Sequence, residues 1–80
     1  MALPGITRAE VRRAIIDYLT RHPRASDSLR GVVEWCYMAL GTRPGEVLVQ
    51  EVLDELLASG EISSVKLADG TRIYGAPSAH

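Results

Sequence analysis

Few residues of this 80-residue chain are of the types that carry out chemistry. The strong metal-ligating side chains besides the carboxylates are His22, Cys36 and His80, and their spacing matches no zinc-binding pattern. An enzyme needs a nucleophile with a base, paired carboxylates in a cleft, a metal cluster or a cofactor loop, and none of these patterns is present. The glycines are dispersed, so no phosphate-cradling loop is predicted. We therefore expect a protein that is not an enzyme, with no metal, cofactor or small-molecule ligand.

Cys36 is the only cysteine, so it cannot form an intrachain disulfide, and its position in the middle of an apolar helix face predicts a buried thiol. A reducing, cytoplasmic location is the simplest interpretation. No stretch approaches the roughly 20 apolar residues that span a membrane. Residues 1–5 lack the basic and apolar regions of a signal peptide, so none is expected.

Charge is distributed unevenly along a chain whose formal net charge is only −1. Residues 8–24 contain five arginines and two acidic residues, a net charge of +3. Residues 46–61 contain five acidic residues and no basic one, a net charge of −5. These two segments could therefore join two copies of the chain, or attract each other within one copy.

Two helices are predicted in the first half of the chain. Helix 1 begins at Thr7, which forms a capping box with Glu10, and it ends before Pro23. Helix 2 is predicted to begin near Ser26 or Asp27, because either side chain can cap a helix. Gly41 is well placed to end helix 2.

A third helix is predicted to begin with Thr42 or Arg43 as the N-cap and Pro44 in its first turn, and to stop at Gly60. Its apolar side chains share one face. They are Leu48, Val49, Val52, Leu53 and Leu56, with Leu57 at the margin. Its outward face has helical spacing and comprises Val47, Gln50, Glu51 and Asp54.

A β-hairpin is predicted from two strands, 62–67 and 71–76, on either side of Asp69-Gly70. A three-residue loop, 68–70, with Gly70 in the left-handed conformation pairs Val65 with Ile73 and Lys66 with Arg72. We prefer this register to that of a two-residue loop because it places Val65, Leu67 and Ile73 on one face. It also sets two like charges opposite each other, at a small cost that an anion or water would relieve.

Three helices followed by an Asp-Gly hairpin resemble the winged helix-turn-helix superfamily over residues 7–76. The best local match is the helix-to-hairpin junction, residues 53–62. From its length the chain is expected to form a single domain, residues 1–80, with mobile ends at about 1–5 and 77–80. The resemblance implies an α+β fold, a three-helix winged helix-turn-helix with a C-terminal β-hairpin wing. It also implies a short strand near Arg24-Ala25 that pairs with the hairpin.

In DNA-binding members of this superfamily, helix 3 enters the major groove and the wing touches phosphates. The resemblance therefore implies base contacts by Arg43, Val47 and Gln50. Backbone contacts would be made by Lys66, Arg72 and Arg30. A DNA-binding transcriptional regulator, acting as a dimer, is accordingly one of our two hypotheses.

The hypothesis that we favour from the sequence is a protein-interaction or oligomerisation domain, because the carboxylates of helix 3, including Glu51 and Asp54, would lie beside phosphates and repel them. Gly31, Trp35 and Met38 lie close together on helix 2 and would form an apolar patch for a protein partner or a second copy if Trp35 is exposed. The other interpretation of Trp35 is that it packs against helix 1 or the wing.

Overall fold

The computed structural model describes residues 5–77, and most of the predicted mobile ends lie outside this range. Within it, three helices and three short strands follow one another along the chain. They are α1 (Arg8–Arg21), β1 (Ser26–Asp27), α2 (Leu29–Leu40), α3 (Glu46–Ser59), β2 (Ser63–Lys66) and β3 (Arg72–Gly75).

The predicted ends of α1 are confirmed. The Thr7 side chain accepts a hydrogen bond from the backbone N–H of Glu10, and the Glu10 carboxylate accepts one from the backbone N–H of Thr7. Two otherwise unpaired amides are satisfied in this way. The helix ends at Arg21, with His22 as its C-cap, immediately before Pro23.

The start of α2 was predicted too early. Ser26 and Asp27 form a strand that pairs with Gly75 and Tyr74, so the helix cannot begin until Ser28 is its N-cap. The Asp27 carboxylate instead accepts a hydrogen bond from the backbone N–H of Ser28, at 2.7 Å. The short strand predicted at Arg24-Ala25 exists, but it lies two residues later in the chain.

The start of α3 was also predicted too early, since its N-cap is Gly45. The preceding turn is held against α2: Pro44 is buried, and the Arg43 guanidinium forms an ion pair with Glu34. Those contacts keep residues 43 and 44 outside the helix. Gly60 ends α3 as predicted, with a φ of 79° that a side chain would disfavour.

The three strands form one antiparallel sheet in the order β1-β3-β2. The predicted hairpin register is confirmed, with Val65 opposite Ile73 and Lys66 opposite Arg72. Gly70 has a φ of 92°, which fits the predicted three-residue loop. Each of the two hairpin strands, β2 and β3, is one residue shorter at both ends than predicted.

The sheet packs on the helices through Tyr74 and Ile62, each 3% exposed. The face that holds Val65, Leu67 and Ile73 points away from the core, and Val65 is 63% exposed. The rest of the core comes from the helices. Its buried side chains are Val11, Ala14, Ile15, Leu19, Val32, Val33, Trp35, Cys36, Val49, Val52, Leu53 and Leu56.

This α+β arrangement of three helices and a small antiparallel sheet is the winged helix that the sequence predicted. The β2–β3 hairpin, residues 63–75, is the wing. Between residues 5 and 77, no helix combines the length and apolar character needed to cross a membrane.

Candidate nucleic-acid interface

The outward face of α3 is partly apolar and partly polar. Val47 is 74% exposed, and Glu51 and Asp54 are also exposed. Gln50 is half-buried, because it lies on the side of the helix that meets the sheet. These four side chains therefore present the helical face that the sequence predicted.

Gln50 connects α3 to the sheet. Its side-chain Nε2 donates hydrogen bonds to Asp54 Oδ1, at 3.0 Å, and to the Tyr74 hydroxyl, at 3.1 Å. The Tyr74 ring is buried in the core, so the hydroxyl position is set by packing. The two bonds hold the helix face and the central strand at a defined separation.

The wing carries two cations on the same sheet face as Tyr74. Side chains alternate along a strand, so Arg72 lies on the same face as Tyr74. Lys66 and Ser64 are directly opposite these two residues and share that face. Arg72 Nη1 donates a hydrogen bond to Ser64 Oγ at 3.0 Å. The structure therefore brings Gln50, Lys66 and Arg72 to one side of the molecule.

Arg43, also predicted to contact bases, is held elsewhere. Its guanidinium forms an ion pair with Glu34 of α2 and lies 4.8 Å from the centre of the Tyr37 ring. Both contacts direct Arg43 toward α2 and away from the wing. Sequence spacing could not reveal this pairing, because Glu34 is nine residues away in the chain.

The opposite charges of α1 and α3 pair within one chain. Arg8 bonds to Glu51 and, at 3.2 Å, to Glu55. Arg12 bonds to Glu61 at 2.5 Å. Of the two alternatives left open by the sequence, attraction within one copy is the one that these contacts show. Three of the five carboxylates in residues 46–61 are thereby matched with arginines.

The remaining two carboxylates of that segment, Glu46 and Asp54, form no ion pair with another residue of the described range 5–77. Within the same range, neither Lys66 nor Arg72 is in an ion pair. The wing cations are therefore not neutralised by the acidic helix beside them.

The apolar patch suggested on α2 does not form as predicted. Trp35 is 6% exposed, and its ring stacks on Tyr18 of α1 with a centroid distance of 4.2 Å. The hypothesis of an exposed Trp35 is therefore wrong, and Trp35 packs against helix 1. Gly31 lies beneath the Asp27 carboxylate, since a Cβ there would be 1.8 Å from Asp27 Cγ. Met38, at 80% exposed, is the member of the patch that stays open.

Three groups in residues 5–77 have displaced pKa values. Burial raises the pKa of the Cys36 thiol to about 11, so it is protonated at neutral pH. Hydrogen bonds from Ser59 and then Arg12 lower the pKa of Glu61. The Thr71 backbone N–H lowers the pKa of Asp69 in the hairpin loop. No three potential metal ligands cluster anywhere in residues 5–77.

Sequence reasoning missed Tyr74, Ser64 and Arg8 as parts of this surface. The excess of arginine before residue 24 and of acid after residue 46 was the signal for Arg8. Nothing in the sequence marked Tyr74, because its inward orientation depends on how the sheet docks on α3.

The helices and the wing define this chain as a winged helix-turn-helix module. Among the solved structures that share the fold are two ferric uptake regulators. That of Francisella tularensis, solved with iron, has a TM-score of 0.76 and 20% sequence identity over the whole of this chain. That of Vibrio cholerae has a TM-score of 0.74 and 18% identity over 95% of this chain.

The chain spans only 60% and 56% of those two proteins, respectively. At these identities the likeness shows the fold alone. No protein-family model and no curated protein matches the sequence.

Proposed function

We propose that this chain is a DNA-binding module that docks α3 in the major groove and the wing on the phosphate backbone. The observation that carries the proposal is the placement of Lys66 and Arg72. Both lie on the sheet face that Tyr74 fastens to Gln50 of α3. A helix face flanked on one side by two unneutralised cations fits a groove bordered by phosphates.

The acidic residues of α3 and the segment after it are a weaker argument against DNA binding in the structure than they were in the sequence. Glu51, Glu55 and Glu61 are bonded to arginines of α1, so their charges are offset where they lie. Coulomb repulsion between a carboxylate and a phosphate is about 1 kcal/mol at close range in water, and a neighbouring arginine opposes it. Glu46 and Asp54 remain as the unmatched acids of the helix.

The contacts divide by chemistry. Lys66 and Arg72 bind phosphates and supply affinity, with Arg30 as a further candidate for this role. Val47 and Gln50 face base edges and supply selectivity. Arg43 is bound to Glu34 and Tyr37, so it joins the interface only if those contacts break.

The structural neighbours support DNA over a protein partner. The Vibrio cholerae regulator with the same fold has DNA-binding domains that rearrange. A protein-interaction role for Gly31, Trp35 and Met38 has less support, because Trp35 and Gly31 are covered. One unit with few phosphate contacts binds weakly, so we expect two copies to act together on DNA.

The test is titration of a fluorescent duplex of mixed sequence with the protein at several salt concentrations. We expect the logarithm of the binding constant to fall linearly with the logarithm of salt concentration. Lys66→Ala and Arg72→Ala should each weaken binding to all duplexes and reduce the salt slope by about 0.9, one phosphate contact each.

Arg13→Ala is the matched control, since Arg13 is exposed on α1 and forms no ion pair within residues 5–77. It removes the same charge away from the wing and should leave the slope nearly unchanged. Absence of binding at about 50 mM salt, where phosphate attraction is strong, would contradict the proposal. If Arg13→Ala and Lys66→Ala reduced DNA affinity equally, the assignment of phosphate contacts to the wing would be contradicted.

A further inference from the structure

The hydrogen bonds of Gln50 determine which base edges α3 can recognise, provided that the module binds DNA as proposed above. Gln50 Nε2 donates to Asp54 Oδ1 and to the Tyr74 hydroxyl. An ionised carboxylate only accepts hydrogen bonds, so the amide nitrogen must face Asp54. Both N–H groups are then engaged within the protein, and the free group of Gln50 is the carbonyl oxygen Oε1.

The neighbouring side chains of α3 on this face offer no donor either, and the Tyr74 hydroxyl, which keeps its own O–H, belongs to a residue that is only 3% exposed. Asp54 uses one carboxylate oxygen for Gln50, and its other oxygen is a second acceptor. Val47 is apolar, and α3 contains no lysine, arginine or histidine. The Ser59 hydroxyl, at the far end of the helix, donates within the protein. The side of α3 that meets the wing thus presents acceptors and one aliphatic side chain.

Base edges differ in what they offer such a surface. In the major groove, cytosine presents an amino donor, whereas guanine presents two acceptors. Adenine has a donor beside an acceptor, and glutamine normally reads both with its own N–H and C=O groups. Gln50 has no N–H to spare for that bidentate contact. A carboxylate accepting from the cytosine amino group is an established pairing.

From this arrangement we infer that α3 selects cytosine at the base position facing Gln50 and Asp54, and rejects guanine there. The discrimination comes from acceptor atoms alone, Gln50 Oε1 and the free oxygen of Asp54. Arg8 of α1 directs its two terminal nitrogens to Glu55 and Glu51, which lie further round α3 than Gln50 and Asp54.

The experiment begins with selection of duplexes from a random pool at about 100 mM salt, where non-specific binding is weakened. Fluorescence titration then compares the selected duplex with versions in which each C·G pair is replaced in turn. One replacement of cytosine by guanine should weaken binding by roughly 5- to 100-fold. No cytosine-dependent position among the selected duplexes would overturn the inference.

Asp54→Asn is the decisive variant. Its amide can still accept the hydrogen bond from Gln50, but it adds a donor to the same place. The variant should lose most of the preference for cytosine over guanine, while its overall affinity holds or rises because a negative charge is removed. Asp17→Asn on α1 removes the same charge from an exposed site and should keep the preference.

Tyr74→Phe provides a second, independent variant. It preserves the buried ring and releases one N–H of Gln50, so adenine should gain affinity relative to cytosine. Binding that retains the parent preference in both variants would overturn the inference while leaving the proposed function intact. Failure of the parent protein to bind any duplex would overturn the proposed function as well.

Discussion

Tyr74 connects the central strand to α3 because its ring is buried while its hydroxyl accepts a hydrogen bond from Gln50. Its backbone pairs with Asp27 on one side and Ser64 on the other. One residue therefore contributes to the core, to the sheet and to the position of the wing. Tyr74→Phe keeps the buried ring and the backbone pairing but removes the hydrogen bond to Gln50. It therefore tests the role in positioning the wing separately from the roles in the core and the sheet.

The Cys36 thiol makes stability depend on alkaline pH. Its pKa is about 11 in the folded protein, against a value of 9.0 for an unperturbed thiol. The unfolded state therefore loses the proton first, and the free energy of unfolding should fall as pH rises from 9 to 11. The decrease contributed by Cys36 cannot exceed about 1.4 kcal/mol per pH unit.

Urea unfolding at pH 8, 9, 10 and 11 measures this decrease. Cys36→Ala lacks the titrating group, so its stability should fall less over the same range, from a lower starting value. In the folded parent protein the thiol should also resist alkylation at pH 8, since the thiolate is the reactive form. Rapid labelling without unfolding would show that the thiol is neither buried nor protonated.

Individual positions were predictable where chemistry acts locally. The Thr7–Glu10 capping box, the loop closed by Gly70 and the stop at Gly60 each depend on residues within a few positions of one another. The orientation of Trp35 and Tyr74 was not predictable in this way. Trp35 stacks on Tyr18 of α1, and the Tyr74 hydroxyl is bonded to Gln50 of α3, so each side chain is oriented by an element distant in sequence.

At the scale of elements, α1 acts as an electrostatic partner of α3. The opposite net charges of the two segments indicated attraction, but only the structure shows that Arg8 reaches both Glu51 and Glu55. All three side chains are about half exposed, so each pair contributes at most about 1 kcal/mol to stability. Their larger effect concerns the net charge on the surface of α3.

Arg8→Gln should therefore change binding more than stability. We expect a melting temperature close to that of the parent protein and DNA affinity reduced about fivefold at low salt, since two carboxylates lose their counter-charge. The loss should shrink as salt is added. Duplex titration and thermal unfolding of the same samples measure both quantities.

Two comparisons make that result specific. A triple variant, Arg8→Gln with Glu51→Gln and Glu55→Gln, should recover the affinity because the carboxylates are gone. Arg13→Gln removes one positive charge from the outer side of α1 and should have a smaller effect. If the triple variant did not recover DNA affinity, Arg8 would not act by neutralising Glu51 and Glu55.

The helix boundaries show why sequence rules for caps were two residues early. Asp27 is a good N-cap residue and Arg43 was one of the two predicted N-caps of α3, but each is engaged by another element. Asp27 pairs with Tyr74 in the sheet, and Arg43 bonds to Glu34 of α2. In both places a tertiary contact outweighed the local preference. The start of each helix was thereby moved along the chain by less than one helical turn.

At the scale of the whole molecule, Trp35 packs at the interface between α1 and α2. It stacks on Tyr18, which lies 4.7 Å from His22 at the end of α1. Trp35→Ala should cost roughly 3–5 kcal/mol. A domain of this size has a total stability of about 4–12 kcal/mol, so much of the margin would be lost.

Denaturant unfolding followed by circular dichroism measures this loss without depending on the tryptophan signal. Met38→Ala is the matched control on the same helix, because Met38 is 80% exposed and its removal should cost less than about 0.5 kcal/mol. A Trp35→Ala protein of normal stability that has changed its oligomeric state would instead restore the interaction-patch hypothesis.

The strand order has a kinetic consequence. β1, at residues 26–27, pairs only with β3, at residues 72–75, which is also the partner of β2. The helices can form from nearby residues, whereas closing the sheet brings together segments more than forty residues apart. Such long-range pairing is slow because the chain entropy is lost before the contacts are gained. We expect the wing to acquire its native position, and with it the surface that it shares with α3, in the last step of folding.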